Sequence, residues 1–135
     1  MGRREQREQI FRMLFRVEFH DREDMSQQLT FLWEEAEPAA SESERLYMTG
    51  KYSRIMDRLS EIDRLINEKA EKWTTDRMGK AELTILRLAV YEILFDEEVP
   101  VGVAINEAVE LAKKYGQENA GAFVNGILAR FANKG

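Results

Sequence analysis

With 135 residues, 44% of them hydrophobic and 33% charged, the chain is long enough for one domain that buries roughly two-thirds of its unfolded surface, and too apolar for a disordered segment. The absence of cysteine excludes disulfides, thiolate metal sites and cysteine nucleophiles, and no apolar run approaches the ~20 residues of a membrane helix. The net charge of −5 is uneven: Arg3, Arg4, Arg7, Arg12 and Arg16 against Glu5 and Glu8 give the first 16 residues +3 and leave −8 on the other 119, so a polyanion is drawn to one end only.

From Arg4 to about Phe19, Ile10, Met13, Leu14 and Val17 recur at helical spacing, widened by Phe11 and Phe15, which predicts a core-facing helix. Acidic residues from Asp21 to Asp24 interrupt it, Ser26 is the expected cap of a short second helix turning Leu29, Leu32 and Trp33 inward, and Pro38 is its expected end. Ser41 and Glu44 have capping-box spacing ahead of a long helix, expected to bend near Gly50, with Ile55, Leu59, Ile62, Ile66, Ala70 and Trp73 on one face.

The segment from Leu83 to Phe95 is apolar nearly all round apart from the stripe Lys80, Thr84, Arg87 and Tyr91, so it must be covered on most sides. Glu97 and Glu98 read as a solvated loop. Pro100 opens a helix through Ala104, Ile105, Ala108, Val109 and Ala112, closed by Lys113, Lys114 and a left-handed stop at Gly116. The last helix is expected to bury Phe123, Val124, Ile127, Leu128 and Phe131. Asn125-Gly126, a hairpin signal elsewhere, falls inside that helical pattern, where close helix approach is the expected reason for the glycine. No segment shows period-two alternation and no internal repeat is evident. The expected fold is all-α, with two small bundles sharing one core.

Catalysis finds little footing. His20, the single histidine, stands beside Asp21 at a helix end, and no triad, metal cluster or phosphate-binding glycine loop can be assembled around it. The arginines are more informative, because cations at a helix start oppose the macrodipole at a cost of a few tenths of a kcal/mol each. At 100° per residue Arg3, Arg4 and Arg7 extend the sector of Ile10, Phe11 and Leu14 beyond the core. They form either a solubilising, disordered start or a phosphate-binding arm. Tyr115 and Phe123 flank the turn Gly116-Gln117-Glu118-Asn119, as a platform for unpaired bases or, for Phe123, as core.

Three strings occur in order: Ile85-Leu-Arg-Leu-Ala-Val-Tyr-Glu92, Val103-Ala-Ile-Asn-Glu-Ala-Val-Glu-Leu-Ala-Lys113 and Phe123-Val-Asn-Gly-Ile-Leu128. With Arg3-Arg4, Arg7-Glu8 and Leu14-Phe15 at the start, they strongly resemble the NusB family of bacterial transcription antitermination factors, over about half the chain. Residues 20 to 72 match only in helical pattern and acidity.

The resemblance implies an all-α fold of about seven helices in one RNA-binding domain, divided into subdomains 1–73 and 74–135 with a continuous core. It implies a cytoplasmic, non-enzymatic protein without metal or other cofactor. Such a protein binds the boxA element of ribosomal RNA leaders as a heterodimer with NusE, a ribosomal small-subunit protein, and joins NusA, NusG and RNA polymerase. Carried over by position, Arg3, Arg4 and Arg7 are the phosphate-contacting arm, Tyr115, Asn119 and Phe123 lie near the RNA, and Glu82 lies on the NusE side. A basic partner would supply charge that this chain lacks. Gln6 and Ala122 depart from the family, where a small and a basic residue are common, and this implies weaker RNA binding by the chain alone.

Two alternatives belong to other classes. NusB-like domains also front some ribosomal-RNA cytosine methyltransferases, but those need a following α/β domain, which is not expected after Gly135. A helical scaffold or homodimer would use the arginines on an acidic protein surface.

Overall fold

The helical periodicity is realised as seven α-helices among the residues that the computed structural model describes, 1–36 and 39–132. They are α1 (Arg3–Arg16), α2 (Met25–Glu35), α3 (Glu42–Asp57), α4 (Leu59–Ala70), α5 (Lys80–Phe95), α6 (Val101–Tyr115) and α7 (Ala120–Ala132), with single 3-10 turns before α2 and α5. No strand occurs among the described residues, and no helix there is long and apolar enough to cross a membrane. The chain divides into two compact units, Met1–Met56 and Asp57–Gly135.

In the first unit α1 packs on α2, and the core is formed by Ile10, Phe11, Met13, Leu14, Leu32, Met48 and Ile55, each at most 2% exposed. The helix starts depart from expectation in one place. Ser26 lies inside α2, which begins at Met25 behind Asp24, and no side chain caps it. Pro38, the expected end of that helix, lies outside the described residues. The capping box of α3 forms as its spacing predicts: Ser41 N–H donates to Glu44 Oε1 (2.8 Å) and Glu44 N–H donates to Ser41 Oγ (3.2 Å).

In the second unit α5 is the axis, packed against α4, α6 and α7, and α6 packs along α7. Residues 82–93 of α5 are all buried, so the polar stripe of Thr84, Arg87 and Tyr91 is covered as well. Thr84 Oγ1 donates to Lys80 O (2.7 Å), and the Arg87 guanidinium grips Asp63 of α4 through two bonds of 2.8 Å.

The long helix expected from Ser41 onward is broken, though at Arg58 rather than near Gly50, which lies within α3. Arg58 takes φ −109°, ψ 11° and its carbonyl accepts the Ile62 N–H (2.9 Å), and its guanidinium carbon stands 4.0 Å over the Phe95 ring. In the second unit α4 buries Ile62, Ile66 and Ala70 and packs on α5 and α7.

Candidate nucleic-acid interface

The basic start of the chain is anchored, contrary to the disordered reading. The Met1 ammonium bonds to Glu44 Oε2 at 2.7 Å, Gly2 N–H donates to Glu5 Oε1 (3.2 Å), and Gln6 Nε2 donates to Met1 O (3.2 Å). The ammonium and the two Ser41 bonds hold the Glu44 carboxyl well below its ordinary range, at about 2, and the carboxylate in turn raises the amine. Glu5 also sets an anion in the first turn of α1, which offsets part of the cost of cations there. Arg3 and Arg4 are exposed in that turn and Arg7, one turn on, is half-buried. Further along, Arg12 bonds to Glu8 (3.4 Å), and Arg16 to Gln28 (2.7 Å) and Glu35 (3.5 Å).

In the second unit the remaining predicted residues surround the turn from α6 to α7. Tyr115 ends α6 half-buried, with the Lys114 ammonium 5.5 Å from its ring centroid. The left-handed stop assigned to Gly116 is not there: Gly116 is extended (φ −88°, ψ 176°), and the positive φ falls on Asn119 at 70°. Asparagine tolerates this conformation better than most residues. Asn119 is exposed, and its carbonyl accepts the N–H of Phe123, which is half-buried in the first turn of α7 rather than in the core (3.1 Å).

Glu82 fixes this turn from below. It is 8% exposed in the first turn of α5, and its Oε2 accepts the Gln117 N–H at 3.1 Å. Glycine at 116 keeps this corner tight, because a Cβ there would stand 2.5 Å from the Ala120 Cβ and 2.8 Å from both Ala112 O and Glu82 Oε2. On the other side a Cβ at Gly79 would overlap Glu82 Oε1, so the carboxylate would have to shift to make room.

Beside Phe123 opens a cleft of about 320 Å³ whose walls include Ala70, Lys72, Trp73, Phe123, Gly126 and Arg130. Trp73 meets Phe123 edge to face, with centroids 5.9 Å apart and planes at 87°. The helical spacing predicted Trp73 on the buried face of α4. It is instead 48% exposed, because the helix stops at Ala70. Glu71 takes φ 55°, ψ −74° and Lys72 N–H donates to Ala70 O (2.7 Å), a γ-turn of the strained, positive-φ kind. Gly126 departs too: it is exposed, and a Cβ there would meet nothing within 4 Å, so helix approach is not its reason. Lys72, Trp73, Gly126 and Arg130 were not among the predicted site residues. The one signal available was the cost of a glycine inside a helix.

Taken each by itself, the first unit offers charge of the kind that phosphates attract and the second offers half-exposed ring faces of the kind on which bases stack. A sequence profile of the NusB family matches residues 4–133. The transcription antitermination protein NusB of Agathobacter rectalis is 52% identical over 132 residues, covering 98% of this chain and 100% of that protein. NusB of Lachnoclostridium phytofermentans is 48% identical over 130 residues, covering 96% and 98%. Among solved structures, NusB of T. maritima superposes with a TM-score of 0.88 at 40% identity, over 99% of this chain and 92% of that one. A complex of the antitermination factors NusB and NusE with double-stranded RNA contains a chain that matches with a TM-score of 0.83 at 28% identity, over 96% of this chain and 94% of that one. The chain therefore belongs to the NusB family, and its relatives from Agathobacter rectalis and Lachnoclostridium phytofermentans are transcription antitermination proteins.

Proposed function

We propose that this chain is a non-enzymatic, cytoplasmic antitermination factor that binds the boxA element of ribosomal RNA leaders together with NusE and enters a complex with NusA, NusG and RNA polymerase. The observation that carries the proposal is the likeness, over 96% of this chain, to the NusB that was solved with NusE and RNA. Arg3, Arg4 and Arg7 are the phosphate-contacting arm, and Tyr115, Asn119 and Phe123 form the base-facing turn. A net charge of −5 repels RNA over most of the surface, so a basic NusE contributes to affinity as well as to specificity. Glu82 supports the NusE side through the backbone it positions, since its carboxylate is already engaged by Gln117.

The test is a titration of labelled boxA RNA and a scrambled control against the chain alone and against its mixture with NusE, at two salt concentrations. The mixture is expected to prefer boxA. Replacing Arg3, Arg4 and Arg7 by alanine is expected to weaken binding and to flatten the salt slope by about 0.7 per lost phosphate contact. Equal binding of boxA and the scrambled strand by both preparations would overturn the reading.

A further inference from the structure

We infer that the cleft walled by Trp73, Phe123 and Gly126 is a seat for one unpaired nucleobase. This inference rests on the RNA-binding reading above and adds to it a site and its residues. Three observations converge within the second unit.

The first is Gly126. A glycine inside a helix costs up to ~1 kcal/mol against alanine, and nothing in this chain lies within 4 Å of the Cβ it lacks, so its own packing does not call for it. What the missing side chain does is leave the backbone of α7 open at the cleft. The second is the aromatic pair. Trp73 is held edge to face on Phe123 at 5.9 Å while nearly half of its surface stays in water, an arrangement that leaves ring surface available for stacking. A strained γ-turn at Glu71 puts it there. Strain of this kind clusters where a side chain must be held for use.

The third is size and charge. About 320 Å³ is at the lower end of small-ligand sites, enough for a single base with its sugar. At the rim, Arg130 bonds to Lys69 O and faces Glu71 at 3.6 Å, so these two charges largely offset one another, and exposed Lys72 leaves the rim net positive. A planar ligand that carries its own anion fits better than a neutral aromatic side chain of a protein. A base with its adjoining phosphate is such a ligand.

The experiment compares Gly126→Leu, which fills the cleft from an exposed position, and Trp73→Leu, which removes a wall, with the wild-type chain, each mixed with NusE and boxA RNA. Both variants are expected to lose affinity by the stacking of one base, about 5- to 150-fold. An abasic scan of the RNA should contain one position whose removal weakens the wild type but leaves Gly126→Leu unchanged. In a Trp33→Phe background, RNA should quench the emission of Trp73. If Gly126→Leu and Trp73→Leu bind as the wild type does while the Arg3, Arg4 and Arg7 triple variant is weakened, the cleft is not a base seat and the RNA reading survives. If NusE alone, and not RNA, protects Trp73 from quenching by acrylamide, the occupant is protein and the inference is overturned. If no preparation binds boxA RNA preferentially, both readings fall.

Discussion

The Glu82 carboxylate accepts a hydrogen bond from the Gln117 backbone N–H at 3.1 Å across 35 residues of sequence, and so couples the first turn of α5 to the turn between α6 and α7. Replacing Glu82 by alanine leaves that N–H without its partner and is expected to destabilise the chain by about 1–3 kcal/mol. Amide exchange should accelerate at Gln117 in particular, and a uniform acceleration along α7 would contradict the local role. Gly116→Ala is expected to destabilise the chain more broadly, because its Cβ would meet the Ala120 Cβ of α7 and Ala112 O of α6 as well as the carboxylate.

The ion pair of Arg87 with Asp63 ties α4 to the buried face of α5. With side chains 11% and 25% exposed, it is shielded but not dry. Arg87→Ala should cost about 2–4 kcal/mol, near the lower end of losses from breaking a buried pair, since the abandoned carboxylate can reach water. A double replacement with leucine at both positions should recover part of that loss. Urea denaturation of the two variants decides it.

Stability should also depend on pH through the anchored start. Glu44 is held down to about 2, so its contribution is present above its ordinary value near 4.5 and is lost as the pH falls toward 2. The Met1 amine is raised above 8.0, so its contribution is present below 8.0 and is lost as the pH rises through the folded value. The urea midpoint of the wild type should exceed that of Glu44→Gln by a constant margin between pH 5 and 8, and the margin should shrink on both sides. A margin that shrinks toward pH 3 but stays constant from pH 8 to 10 would show that the carboxylate acts as a cap only.

Gly126→Ala is expected to raise the midpoint of thermal unfolding, by up to ~1 kcal/mol in stability, because the helix gains propensity and the new methyl group meets no neighbour. Calorimetry of the chain without RNA measures this. Destabilisation would mean that the glycine is structural after all.

Much of the fold is written in helical periodicity, and where it misleads the reasons are local. Ile55, Leu59 and Ile62 stay in phase across the break at Arg58, because that residue departs only part of the way from helical backbone, so no lapse in the pattern marks it. Trp73 continues the same phase beyond the true end of α4, and the γ-turn that removes it involves no glycine or proline. At Gly116 the residue type suggested a left-handed stop, but the close approach of Ala120, Ala112 O and Glu82 explains the glycine, and Asn119 takes the positive φ.

The geometry of the candidate site was legible where adjacent residues set it: spacing places the arginines in the first two turns of α1, and Tyr115, Asn119 and Phe123 around one turn. It was not legible where partners are far apart in sequence. The Met1–Glu44 and Glu82–Gln117 bonds and the meeting of Trp73 with Phe123 span 43, 35 and 50 residues, and no spacing rule reaches that far.

The γ-turn at Glu71 makes the length of α4 a ruler. Each residue added to or removed from that helix would turn its end by about 100° and move it by about 1.5 Å, enough to swing the indole off the Phe123 edge. The buried face of α4 would tolerate the change only at a whole number of turns. Insertions in this region of the chain are therefore expected to be harmless to the lip of the cleft only after Trp73, in the stretch that leads into α5.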